Sequence, residues 1–106
     1  MKKGDIVLIP FPFTDLTGSK TRPAIVLASN LEDVTVNFIT TKTKWKDEFD
    51  VELFPTKRNG LKQLSIIRVN KIATLETSLV LGRLGVLDID ETGKHNTALL
   101  KMLQLE

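Results

Sequence analysis

The chain has no cysteine and no tyrosine, and only one histidine and one tryptophan, among its 106 residues. Without cysteine there can be no disulfide, no thiolate metal site and no thiol nucleophile. A single histidine, His95, excludes catalysis by a histidine pair and argues against a first-row metal site. No metal and no cofactor are expected. No apolar run approaches the ~20 residues that a membrane-spanning helix needs. The start Met1-Lys2-Lys3 carries the charge of a signal peptide. However, Gly4-Asp5, Pro10 and Pro12 interrupt the apolar stretch, and no small-residue cleavage site follows. The expectation is a cytoplasmic protein that does not associate with membranes.

What is present describes a soluble globular domain. Hydrophobic residues make up 42% and charged residues 26%, which is enough apolar material for one modest core. No repeat, linker or low-complexity stretch divides the chain, so residues 1–106 read as a single domain. A net charge of +2 permits nucleic acid as a partner without arguing for it; the placement of the charges has to decide.

The pattern is mainly β. Residues 5–10 read as a first strand that ends at Pro10-Phe11-Pro12, and the turn-rich segment 11–21 follows as a loop. The second strand, about Arg22 to Ser29, contains the longest apolar run of the chain, Pro23 to Ala28. In the third, Val34, Val36 and Phe38 alternate with Thr35 and Asn37, and the alternation breaks at Phe38-Ile39. In the fourth, Phe49, Val51 and Leu53 face inward while Glu48, Asp50 and Glu52 face outward. Asn59-Gly60 signals a hairpin turn, and a long strand from Leu61 to about Leu75 follows, broken at Ile66-Ile67. Residues 79–87 suit a short helical turn and then a short strand. Asp88-Ile89-Asp90-Glu91 has the form of a capping box opening a C-terminal helix, with Leu99, Leu100 and Leu103 as its buried stripe. The predicted fold class is mainly β (α+β): a small SH3-like barrel of antiparallel strands closed by a C-terminal helix.

Arg22 stands at the mouth of a strand that reads as buried on both faces. A rigid strand end holds a permanently charged guanidinium at a fixed place against a phosphate or a carboxylate. The order Gly4-Asp5-Ile6-Val7, then Arg22-Pro23-Ala24-Ile25-Val26-Leu27, then Asn37-Phe38-Ile39-Thr40-Thr41 resembles the MazF/PemK family of toxin endoribonucleases. The resemblance continues through Gly60-Leu61, Ile67 to Ile72, Leu84-Gly85 and Ala98-Leu99-Leu100, and so spans essentially the whole chain. The Pro10-Phe11-Pro12-Phe13-Thr14-Asp15 stretch looks like a PemK-like sub-branch.

The resemblance implies metal-independent cleavage of single-stranded mRNA by a cytoplasmic homodimer that a cognate antitoxin inhibits. It further implies that operator DNA is bound only together with the antitoxin. The family's arginine maps onto Arg22 and its catalytic threonine onto Thr40. Asp15, Ser19, Lys20, Thr41, Lys42 and Lys44 are the expected RNA-binding residues, and Asp15 is also a candidate general base. The chemistry suits these residue types, because RNA carries its own nucleophile in the 2′-hydroxyl. The protein then has to position the strand and stabilise charge on the phosphoryl oxygens.

Two other readings stay open. The segment from Gly18 to Arg22 is shorter than in the best-studied toxins, which favours a catalytically degenerate module that binds RNA or protein. A plain SH3-like interaction module would need an aromatic groove, which one tryptophan and no tyrosine do not supply. Lys42, Lys44 and Lys46 around Trp45 can form an RNA track, or a charge ladder against Glu48, Asp50 and Glu52. Arg68 and Asn70 share one face of the long strand and can line a groove or a dimer seam.

Overall fold

The structure of the chain is a computed structural model that describes residues 1–11, 20–44 and 46–106. Its strands are β1 (Asp5–Phe11), β2 (Lys20–Ser29), β3 (Asp33–Thr40), β4 (Val51–Leu53), β5 (Ser65–Glu76) and β6 (Gly82–Val86). A 3-10 turn, Thr77–Leu79, precedes β6, and helix α1 (Ile89–Met102) ends the chain. The strands form one sheet in the order β4-β5-β3-β2-β1-β6, antiparallel throughout. The sheet is curled into a half-barrel, with β4 and β6 as its edges. No described helix is long and apolar enough to cross a membrane.

Prolines set where the ladders stop. Pro10 lies within β1, which runs one residue past its predicted end, to Phe11. Pairing with β6 stops at Leu8, so its missing N–H leaves no gap on that side. Pro23 sits in β2 beside Leu8 of β1, and the β2–β3 ladder ends one residue later, at Ala24–Phe38. Beyond that pair β2 is held only by β1, and β3 only by β5.

Each face of the sheet has its own core. On one face, Ile6, Ile25, Ile39, Val51, Leu53, Ile67, Val69 and Leu87 pack with Ala98, Leu99 and Met102 of α1. On the other, Val7, Ile9, Ala24, Val26, Val34, Val36 and Leu75 pack with Phe38, Leu79 and Val80. Each fully buried branched side chain contributes about 1.5–3 kcal/mol by leaving water. The helix starts as the sequence predicts: Asp88 accepts from Glu91 N at 2.8 Å and Glu91 accepts from Asp88 N at 2.9 Å. Its buried stripe differs from the prediction. Leu100 and Leu103 are exposed, and His95, Ala98, Leu99 and Met102 face the sheet, a rotation set by where the cap fixes the first turn.

His95 earns its buried place through Asn37. The Asn37 amide donates to the carbonyls of Val69 at 2.9 Å and Lys71 at 3.1 Å, and His95 Nε2 lies 2.8 Å from Asn37 Oδ1. These bonds clasp a bulge: Asn37 faces Ile72 and Phe38 faces Arg68, so Val69, Asn70 and Lys71 are extra residues on β5. The register break thus falls at 69–71 rather than at Ile66-Ile67. Nor is Asn59-Gly60 a tight two-residue hairpin. Residues 54–64 form a longer connection built on the buried Asn59 side chain, which bonds Thr56 N, Leu61 N, Phe54 O and Glu91 Oε2.

Candidate active site

Register brings Arg22 and Thr40 together. The last β2–β3 pair is Ala24–Phe38, and each residue in question lies two positions further along its own strand. Two steps preserve the face, so Arg22 and Thr40 project from the same side as Ala24 and Phe38. Their backbones remain anchored on the outer sides, Arg22 opposite Ile9 and Thr40 opposite Ile66. The result is a notch: two side chains at one end of a strand pair whose own ladder Pro23 has ended.

Arg22 is exposed, and its guanidinium makes no ion pair or hydrogen bond among the described residues. Thr40 is half-buried, and its hydroxyl oxygen accepts Lys42 N at 3.1 Å. That bond fixes the oxygen and leaves the hydroxyl hydrogen to donate elsewhere. Lys20 follows the parity of Arg22 on β2 and is exposed opposite Phe11. Phe11, itself 42% exposed, meets Phe38 edge to face with ring centroids 5.5 Å apart, so aromatic surface adjoins the notch.

The remaining predicted residues divide. Thr41, Lys42 and Lys44 are exposed just past the end of β3, close to Thr40 in sequence. Asp15 and Ser19, and also Trp45, lie outside the described residues. The lysine track and the charge ladder meet at one described rung, Lys46 Nζ to Glu52 Oε1 at 2.7 Å. His95 is fully buried against Asn37 and does not open onto the notch.

Asp50 departs from the expected outward position. The segment before β4 is a turn: Asp50 N donates to Asp47 O at 3.1 Å, and Asp47 N donates to Asp50 Oδ2 at 2.7 Å. This turn uses up Glu48 and Phe49, shortens β4 to three residues and folds the Asp50 carboxylate inward. Its Oδ1 lies 3.6 Å from Nε of Arg68. Arg68 is the cross-strand partner of Phe38, so its side chain rises on the same face as Arg22 and Thr40. Asn70, which follows on β5, donates to Asp47 Oδ2 at 2.6 Å. A separate groove of about 860 Å³ runs between β4 and α1, where Lys46, Lys94 and Lys101 interleave with Glu48, Glu52 and Asp90. Its mixed charge does not single out an anion.

One face of the sheet thus carries Arg22, Thr40 and Arg68, residue types that suit a phosphodiester. The model of the family described as PemK-like, MazF-like toxins of type II toxin–antitoxin systems matches residues 2–103. The chain belongs to that family. Solved structures agree on the toxin fold. An endoribonuclease from a mycobacterial species, in complex with its cognate antitoxin, is 22% identical with a TM-score of 0.77, covering 100% of this chain and 97% of that one. The Mycobacterium tuberculosis toxin MazF-mt6 is 21% identical with a TM-score of 0.78, covering 96% and 98%. MazF from Deinococcus radiodurans is 18% identical with a TM-score of 0.73, covering 98% and 96%. At these identities the likeness is one of fold. A comparison with curated proteins finds no significant match.

For the toxin, sequence reasoning named Arg22 and Thr40, gave Arg68 a groove or a dimer seam, and counted Asp50 as solvent-facing. The register of β4 on β5 held the missing signal. Val51 pairs with Ile67, so the next pair outward is Asp50 with Arg68, an acid facing a base.

Proposed function

We propose that this toxin is an endoribonuclease that cleaves single-stranded mRNA at the Arg22/Thr40 notch. The observation that supports the reading is that these two side chains share one face at the same end of β2 and β3, on paired backbones, with no partner for the Arg22 guanidinium among the described residues. Arg22 neutralises the scissile phosphate and can hold two of its oxygens. Thr40 donates its hydroxyl hydrogen to a nonbridging oxygen, in an orientation set by the Lys42 N bond. Arg68 supplies further positive charge from the β5 side, and Lys20, Thr41, Lys42 and Lys44 hold the flanking strand.

The 2′-oxygen attacks the adjacent phosphorus, the bond to the 5′-oxygen breaks, and a 2′,3′-cyclic phosphate and a free 5′-hydroxyl result. The 2′-hydroxyl proton leaves as that bond forms, and the 5′-oxygen gains one. Because the nucleophile belongs to the RNA, this reading requires no metal. On the same family ground, the toxin acts in the cytoplasm as a homodimer, a cognate antitoxin inhibits it, and operator DNA is bound only in company with that antitoxin.

The test is incubation of the purified protein with a long single-stranded RNA in EDTA, comparing wild type with Arg22→Ala and Thr40→Ala. Discrete fragments from wild type alone support the reading. Intact RNA retained on a filter would replace it with a binding module that does not cut.

A further inference from the structure

The Asp50–Arg68 pair makes little sense as a device for stability. The Asp50 side chain is fully buried, and a buried carboxylate is costly unless well paired and hydrogen-bonded. A pair built for stability closes to about 2.7–2.9 Å, often through two parallel bonds. Here Oδ1 and Nε stand 3.6 Å apart, beyond hydrogen-bond length. Both atoms are buried, and neither has a hydrogen-bond partner among the described residues. The guanidinium's terminal nitrogens likewise form no hydrogen bond among the described residues, and a quarter of the Arg68 side chain is exposed. The carboxylate cannot itself serve as a base toward bound RNA, because its side chain has no exposed surface.

Position gives this loose pair its meaning. Arg68 is level with Phe38, one row from Thr40, so the two residues are diagonal neighbours across β3 and β5. Asp50 lies behind Arg68 on the far side from the notch, fixed by the Asp47 N bond. A negative charge there draws Nε back and leaves the terminal fork, which has no hydrogen bond among the described residues, free to turn toward Thr40. It also offsets the repulsion between Arg68 and Arg22 on one face.

We infer that Asp50 is a positioning residue that aims the Arg68 fork at the phosphate held by Arg22 and Thr40. This assignment rests on the ribonuclease reading above.

Asp50→Asn tests it, because its amide oxygen still accepts Asp47 N while its NH2 turns a donor toward Nε. The expected result is a fall in single-turnover cleavage rate of about tenfold to a hundredfold, the size of effect a small misplacement has. KM should stay within about threefold, since removing a negative charge does not weaken attraction to RNA. In an Arg68→Ala background the same substitution should change the rate by less than about twofold. Asp50→Glu, which keeps the charge, should recover part of the loss. Equal slowing in both backgrounds would overturn the assignment, as would a lowered Tm with an unchanged rate.

A second readout is the Arg68 Nε–H resonance in ¹⁵N-edited spectra, with a 2′-deoxy-substituted oligonucleotide that cannot be cut. Wild type should show a slowly exchanging signal that shifts when the oligonucleotide is added, and Asp50→Asn should lose it. Identical signals in the two proteins would overturn the assignment. If wild type cuts no RNA, the ribonuclease reading fails, and this spectrum still decides whether Asp50 holds Arg68.

Discussion

Acidification should unfold this protein partly through one buried imidazole. The Asn37 amide hydrogens are both committed to carbonyls, so Asn37 Oδ1 faces His95 and the pattern assigns the ring hydrogen to Nε2. Nδ1 is then a bare acceptor, buried and without a partner among the described residues. A proton there would be cut off from water and would lie near the charge of Lys3. Burial first, and then Lys3, lower the His95 pKa from 6.5 to about 4. Below pH 6.5 the unfolded chain therefore takes up a proton that the folded chain refuses until about pH 4. The contribution is fully present above the unfolded value and is lost as pH falls toward the folded one. A separation of about 2.5 pH units at ~1.36 kcal/mol each is about 3 kcal/mol in total, most of which is lost by pH 4.5. Urea unfolding followed by circular dichroism at pH 7, 5.5 and 4.5 measures this. The comparison is His95→Gln, which can keep a donor to Asn37 and does not titrate. Carboxylates contribute alike to both proteins, so the difference between the two slopes isolates the imidazole. If wild type and His95→Gln lose stability in parallel, the account of His95 is wrong.

Three further outcomes follow from the same geometry. Thr40→Val should lower cleavage by about 10²–10³-fold as one transition-state donor is lost, while Thr40→Ser retains most of the activity in the same RNA assay. Asn37→Leu should destabilise by about 2–3 kcal/mol, since the carbonyls of Val69 and Lys71 and the His95 ring all lose a buried partner; urea midpoints check this. Gly85→Ala should lower Tm sharply whereas Gly82→Ala should not. A methyl at 85 would collide with the Arg58 carbonyl and the Asn59 backbone, while one at 82 meets nothing within 4 Å.

Legibility in the sequence tracked how local each signal was. The capping box at Asp88 and Glu91 was readable because cap and partner are three residues apart. The Arg22 strand was readable because the apolar run from Pro23 announces its buried centre, Ala24 to Val26, although the strand itself begins two residues earlier than predicted, at Lys20. Asp50 misled because alternation counts faces in a strand, and the Asp47–Asp50 turn removes that residue from the strand while register still sets it opposite Arg68. Asn37 and His95 are 58 positions apart, and nothing in either neighbourhood announces the partner. Leu100 and Leu103 look like core residues by type, yet helical phase set by the cap turns them outward. The notch itself was half legible: both residues were named, but their meeting depends on where the β2–β3 ladder stops.

The asparagine clasp on the β5 bulge bears on how the chain finds its structure. β5 carries Ile66, Ile67, Val69, Ile72 and Leu75, so sliding it two residues along β3 would still bury apolar side chains. Such a slipped strand pair would bury nearly as much apolar surface as the correct one, so hydrophobic pattern alone separates the two alignments poorly. In the native alignment the carbonyls of residues 69 and 71 both meet the Asn37 amide, so these two polar bonds favour that alignment where the apolar pattern is indifferent.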